Sequence, residues 1–68
     1  MTMHPVISNN VHSVGYDHAT RVMRVAFRSG GLYDYPGVAP ELYAQMLQPH
    51  PWRRVGRAVM AHTPVRLK

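Results

Sequence analysis

The sequence predicts an α+β fold: a three-stranded antiparallel β-meander followed by two short α-helices. Three observations carry that prediction. Residues 11–35 contain three apolar-alternating runs separated by turn chemistry. Residues 40–47 and 51–62 then switch to helical spacing, each stretch opened by a proline. The change of period falls at Pro36-Gly37, so strands come first and helices after, the order expected of an α+β domain.

The first strand reads from "VHSVGY" (11–16), with His12, Val14 and Tyr16 on one face and Val11, Ser13 and Gly15 on the other. "DHAT" (17–20) is a turn in which the Asp17 carboxylate accepts backbone N–H groups. "RVMRVAF" (21–27) is the strongest strand: Met23, Val25 and Phe27 face one way, and Val22, Arg24 and Ala26 the other. "LYDY" (32–35) is the third, stopped by Pro36. Its faces are Leu32 with Asp34, and Tyr33 with Tyr35.

Loop length decides which pair of that third strand joins the core face. A two- or four-residue loop would bring Leu32 and Asp34 to the face of Phe27. A three-residue loop, Ser29-Gly30-Gly31, sets Phe27 opposite Tyr33 and Val25 opposite Tyr35, with Gly31 in the left-handed position. That register turns both tyrosines inward and keeps Asp34 off the core, and it is the one adopted.

Pro40 suits the first position of a helix, and Glu41 complements its positive end. Leu42 with Met46 and Tyr43 with Leu47 give that helix an apolar side, and Pro49 and Pro51 end it. In the second helix Trp52, Val55, Val59 and Met60 fall in one arc, while Arg53, Arg54 and Arg57 cluster opposite. Gly56 weakens this helix by about 1 kcal/mol relative to alanine. "TPVRLK" (63–68) reads as an exposed or loosely docked tail.

A chain of 68 residues is one domain. A chain so short hides only roughly 60% of the surface that its unfolded form exposes, so dimerisation is a reasonable source of extra burial. With no cysteine, disulfides, thiolate metal sites and thiol catalysis are excluded, which suits a reducing cytoplasm. No apolar run approaches a membrane span, and the first ten residues lack the pattern of a signal peptide. Arg21, Arg24 and Arg28 balance Asp17, Asp34 and Glu41. The formal charge of +5 therefore lies wholly in Arg53, Arg54, Arg57, Arg66 and Lys68. Such a segment attracts phosphate or an acidic protein surface, or simply keeps a small protein soluble.

Three motifs, "V-x-S-x-x-V-x-S-V-G-Y-D" (6–17), "M-x-V-x-F-x-S-G-G-x-Y-x-Y-x-G-V" (23–38) and "P-E-L-Y" (40–43), resemble the KTSC domain family. The family takes its name from the C-terminus of certain lysyl-tRNA synthetases and also occurs as stand-alone bacterial and phage proteins. Tyr33 and Tyr35 are the positions of its Y-x-Y signature, and the resemblance covers about residues 6–47. It implies a small α+β fold and an RNA-binding role. Some phage-encoded relatives resemble regulators of host RNA polymerase. After residue 47 the chain departs from the family pattern into "QPHPWRRVGRAVMAH", and no function carried by that segment transfers. The family supplies no catalytic residues to map.

Catalysis is not expected. Asp17, Asp34 and Glu41 lie on different elements, whereas general acid–base chemistry needs groups gathered around one reacting atom. His4, His12, His18, His50 and His62 show neither helical pair spacing nor finger spacing, so neither a metal site nor a cofactor is expected; His50 between its prolines reads as exposed. Tyr33 and Tyr35 are either a base-stacking platform or core rings, and the inward register favours the core. Trp52 either anchors the second helix or forms an interface hot spot, and its apolar arc favours anchoring. The candidate binding residues are Arg53, Arg54, Arg57, Trp52, Arg66 and Lys68, with Tyr33, Tyr35 and Gly31 as structural positions. The expected partner is RNA or another nucleic-acid backbone. The alternatives are an acidic protein surface, such as that of RNA polymerase met by a phage regulator, or a second copy of the chain.

Overall fold

A computed structural model describes all residues from Met1 to Lys68. Five strands form one antiparallel sheet in sequence order: β1 (His4–Pro5), β2 (Val11–Asp17), β3 (Val22–Phe27), β4 (Leu32–Tyr35) and β5 (Val65–Arg66). Helices α1 (Pro40–Met46) and α2 (Pro51–Met60) lie between β4 and β5 in the chain. The expected meander is its centre, β2 to β4. The two further strands are short and sit at the edges. The segment expected to be a loose tail closes one of them, with Arg66 opposite Tyr33 and Val65 opposite Asp34. A six-residue run with a proline at its second position and charges at Arg66 and Lys68 carries no alternation long enough to read as a strand. It pairs because β4 would otherwise leave its outer N–H and C=O groups unpaired.

The β2–β3 turn follows from its side chains. Ala19 N and Thr20 N donate to Asp17 Oδ1 at 2.9 and 3.4 Å. Arg21 N donates to Asp17 O at 2.8 Å, and Arg21 takes a left-handed φ of 58°. Those two N–H donors hold the Asp17 carboxyl below its ordinary pKa.

The β3–β4 hairpin corrects the expected register by two residues. Val25 faces Tyr33 and Met23 faces Tyr35, in place of Phe27 with Tyr33 and Val25 with Tyr35. Phe27 N donates to Gly31 O at 2.8 Å and Gly30 N to Phe27 O at 3.0 Å, so the three-residue loop is Arg28-Ser29-Gly30. Gly30, not Gly31, carries the left-handed φ of 106°. Gly31 is small for another reason: a Cβ there would come within 2.8 Å of the Tyr33 ring. A shift by two preserves parity, so Tyr33 and Tyr35 still share the face of Met23, Val25 and Phe27. Asp34 lies on the other face, where Arg24, its direct cross-strand partner, donates to both carboxylate oxygens at 2.7 and 3.0 Å.

A bulge between Val11 and Ser13 corrects the first strand. The extra residue, His12, is exposed, and Val11 rotates onto the face of Val14 and Tyr16, where it is fully buried. The core is then Val6, Val11, Val14, Tyr16, Met23, Val25 and Tyr35 from the sheet side, closed by Val38, Met46 and Val59. The Tyr16 hydroxyl donates to Val38 O, and Val38 N donates to Arg21 O at 2.9 Å. These bonds pin the crossover from sheet to α1. Tyr43 of α1 stacks on Tyr16 at 4.8 Å between ring centroids. Leu47 and Met60, expected on apolar faces, are exposed. Leu47 lies past the end of α1, and Met60 is the last residue of α2.

Met23 is completely buried, with Tyr16 and Tyr35 as its neighbours on the flanking strands. Met23→Ala is expected to lower unfolding free energy by about 2–5 kcal/mol, read from urea denaturation. Burial raises the phenol pKa of Tyr35 and of Tyr43 above the ordinary 10.0, because each phenolate would be desolvated; Tyr33 beside Tyr35 adds to the shift there. A raised value means that the stability contributed is intact below pH 10 and is lost as pH climbs through the folded-state value. A pH series followed by circular dichroism should show alkaline unfolding. Tyr43→Phe, which removes one of the two phenols, should extend the stable range upward.

Candidate nucleic-acid interface

The second helix is set in place at its start and from below. His50 precedes it in a left-handed conformation, φ 54°, and Pro51 opens it. His50 N donates to Ile7 O at 2.6 Å, tying the start of α2 to the segment after β1. This contact leaves His50 half-buried, a correction to its expected exposure. Trp52, Val55, Gly56 and Val59 follow the i, i+3, i+4, i+7 pattern and form the packed side.

Gly56 has a use on that side. A Cβ at this position would come within 3.1–3.2 Å of three atoms of the Trp52 indole. The missing side chain lets the indole lie flat along its own helix, a gain set against glycine's low helix propensity. From there Trp52 meets Phe27 edge-on, 4.9 Å between centroids at 87°, and Tyr35 at 6.5 Å. Trp52 is thus an anchor, and it stays partly open to solvent.

The arginines divide into distinct roles. Arg53 and Arg57, one helical turn apart, are exposed. No acidic residue occupies the first turn of α2, so Arg53 sits where the helix dipole disfavours a cation. Arg54 is tied down. It donates through Nε to Pro49 O at 3.1 Å, through Nη1 to Gln45 Oε1 at 2.8 Å and through Nη2 to Gln45 O at 2.8 Å. It thereby covers the carbonyl end of α1, which has no basic residue of its own in the last turn. Arg66 stands apart from α2 on edge strand β5. Its Nε donates to Lys68 O at 2.7 Å, and its guanidinium lies 5.6 Å from the centre of the Tyr33 ring. Lys68 is exposed beside it.

Tyr35 is almost wholly buried and Tyr33 half-buried, its ring 5.7 Å from Phe27 at 79°. They are core and core margin, not an open platform. Arg66, Tyr33, Phe27 and Trp52 form a continuous row of ring contacts from β5 to the start of α2. The acidic residues lie elsewhere. Asp34 is held in the one ion pair of the chain with Arg24, Asp17 closes the β2–β3 turn, and Glu41 is on α1. No three His, Cys, Asp or Glu side chains converge as a metal site.

One cleft, of about 330 Å³, opens beside Trp52, lined by Asn9, Asn10, Phe27, Arg28, Ser29 and Trp52. Sequence reasoning missed it and did not single out Arg28. The one local signal was "SNN" at 8–10, a turn-forming cluster. Its proximity to Trp52 is a tertiary fact.

The model of the KTSC domain family matches residues 7–50. An uncharacterized protein of Stutzerimonas stutzeri (strain A1501) is 39% identical over 41 residues, which are 60% of this chain and 58% of that relative, so the chain spans less than two thirds of the relative's length. The crystal structure of a KTSC domain protein from Yersinia pestis superposes with a TM-score of 0.88 at 23% identity, covering 98% of this chain and 97% of the other. That likeness shows the fold, extending it through α2 and β5 beyond the family match.

Arg54 gives a local test of this division of roles. Arg54→Gln should lower unfolding free energy by about 0.3–1 kcal/mol in urea denaturation, because α1 loses the cation at its carbonyl end. Arg53→Gln, which removes a cation from the positive end of α2, should raise the urea midpoint slightly, and Arg57→Gln, which removes one from its last turn, should lower it slightly, so the double variant should stay near the parent.

Proposed function

The chain belongs to the KTSC domain family, and on that footing we propose that it is a non-enzymatic binding module whose second helix grips the phosphate backbone of RNA. The observation that carries the reading is the state of Arg53 and Arg57. Both are exposed, neither has an acidic partner, and both project from a helix whose other side is locked onto the sheet. Cations placed this way lose little freedom on meeting an anion, because the helix beneath them is already ordered. Arginine's planar fork suits phosphate oxygens. Arg54 adds charge to the same surface while its donors serve α1, and Arg66 and Lys68 extend the positive field at the sheet edge. Contacts of this kind hold a strand in place and carry little sequence information.

The measurement is affinity for single-stranded RNA across a salt series. Log affinity should fall linearly with log salt, by about 0.7 per phosphate neutralised. The double variant Arg53→Gln with Arg57→Gln should lose about 1.4 from that slope and keep its urea midpoint. A flat salt response would overturn the reading. Recovery from lysate of one stoichiometric acidic protein after nuclease treatment, with no RNA affinity, would transfer the surface to a protein partner such as RNA polymerase.

A further inference from the structure

The cleft beside Trp52 is built of parts that the backbone reading leaves unused. Two aromatic rings, two primary amides, one hydroxyl and one guanidinium line it, and no carboxylate does. At about 330 Å³ it lies at the small end of ligand sites, suited to one compact planar group. The rings of Phe27 and Trp52 stand perpendicular, at 87°, the edge of one on a face of the other, so the ring that offers its edge keeps both faces clear of its partner. The side-chain amides of Asn9 and Asn10 are exposed and bonded to nothing else in the chain, which leaves donors and acceptors for a guest.

The frame around these groups is held in place. Asn10 N and Val11 N donate to Ser8 Oγ at 3.1 and 3.0 Å. Arg28 Nε donates to Ser8 O and Arg28 N to Asn10 O, both at 2.8 Å, so the 8–10 loop is strapped to the β3–β4 hairpin. The cleft wall and the proposed phosphate grip are adjacent in sequence, as Trp52 and Arg53.

We propose that this cleft, between the Ser8–Asn10 loop and the start of α2, holds one unstacked base of a single-stranded RNA. The inference rests on the backbone reading above and gives it a base-binding subsite. The base lies against the Trp52 and Phe27 rings, its polar edge meets the Asn9 and Asn10 amides, and its phosphates reach Arg53 and Arg28. The chemistry matches the ligand at each point. Every base offers a flat π-face with mixed donors and acceptors at its edge, and a lining without acid tolerates the attached phosphates.

Trp52 is the only tryptophan, so its fluorescence reports the cleft directly. The probes are short oligouridylate and oligoadenylate strands, the same-length abasic strand, and free adenosine and uridine 5′-monophosphates. Strand binding is followed in parallel by anisotropy of an end label. Base-bearing strands should quench Trp52 and bind between about fivefold and about a hundredfold tighter than the abasic strand. Asn9→Ala and Asn10→Ala, both exposed and with their backbone bonds kept, should each weaken base-bearing strands by about twofold to tenfold and leave abasic binding and its salt slope unchanged. Equal affinity for abasic and base-bearing strands, with no base-dependent quenching, would overturn the cleft while leaving the backbone grip standing. Loss of all strand binding would overturn the backbone grip. The monophosphates then decide the cleft alone: quenching abolished by Asn9→Ala or Asn10→Ala upholds it, and no quenching overturns it.

Discussion

The indole of Trp52 lies along Gly56 of its own helix and meets Phe27 edge-on, and this contact sets the position of α2. Almost every functional group depends on it. It turns Val59 into the core and Arg53 and Arg57 to solvent. It also brings the start of α2 against the hairpin and the 8–10 loop, which is what creates the cleft. Gly56 suits that geometry, since a Cβ there would sit 3.1–3.2 Å from three indole atoms and the ring would have to give by a few tenths of an ångström. A residue that weakens the helix in isolation thus leaves room for the ring through which the helix docks.

A small chain has little core with which to hold its parts, and this one supplements it with polar ties between distant segments. His50 N reaches Ile7 O, Val38 N reaches Arg21 O, the Tyr16 hydroxyl reaches Val38 O, and Arg54 reaches back to Gln45 and Pro49. Both terminal segments contribute an edge strand. Each such tie satisfies a backbone group that the thin core would otherwise leave unpaired. The basic helix is consequently a rigid presenter of charge, since Arg54 welds it to α1 while Arg53 and Arg57 remain available.

The Y-x-Y stretch shows how much of such a fold is legible before its structure is seen. Alternation makes Tyr33 and Tyr35 share a face, an odd loop makes that face the one of Met23 and Val25, and both statements hold. The alignment along the strand does not follow from them. Shifting the pairing by two residues leaves every side chain on the same face, so burial pattern alone is indifferent to it. What chooses between the two alignments is which glycine turns left-handed, and Gly30 and Gly31 look alike in sequence. The reverse failure occurs in β2, where a single bulged residue, His12, inverts the parity of Val11. Nothing local marks a bulge that exists because Val11 has a place in the core.

By itself the sequence determined the order of strands and helices, the inward tyrosines, the outward Asp34, the family, and the segregation of charge onto one side of α2. These follow from periodicity, turn residues and motif spacing, which are properties of neighbouring residues. The tertiary structure alone decided the two edge strands, the two-residue alignment of the hairpin, the diversion of Arg54 to α1, and the meeting of Asn9 and Asn10 with Phe27 and Trp52. Each of these joins segments far apart in the chain. Whether such segments meet depends on how every intervening element packs, and no local pattern records that.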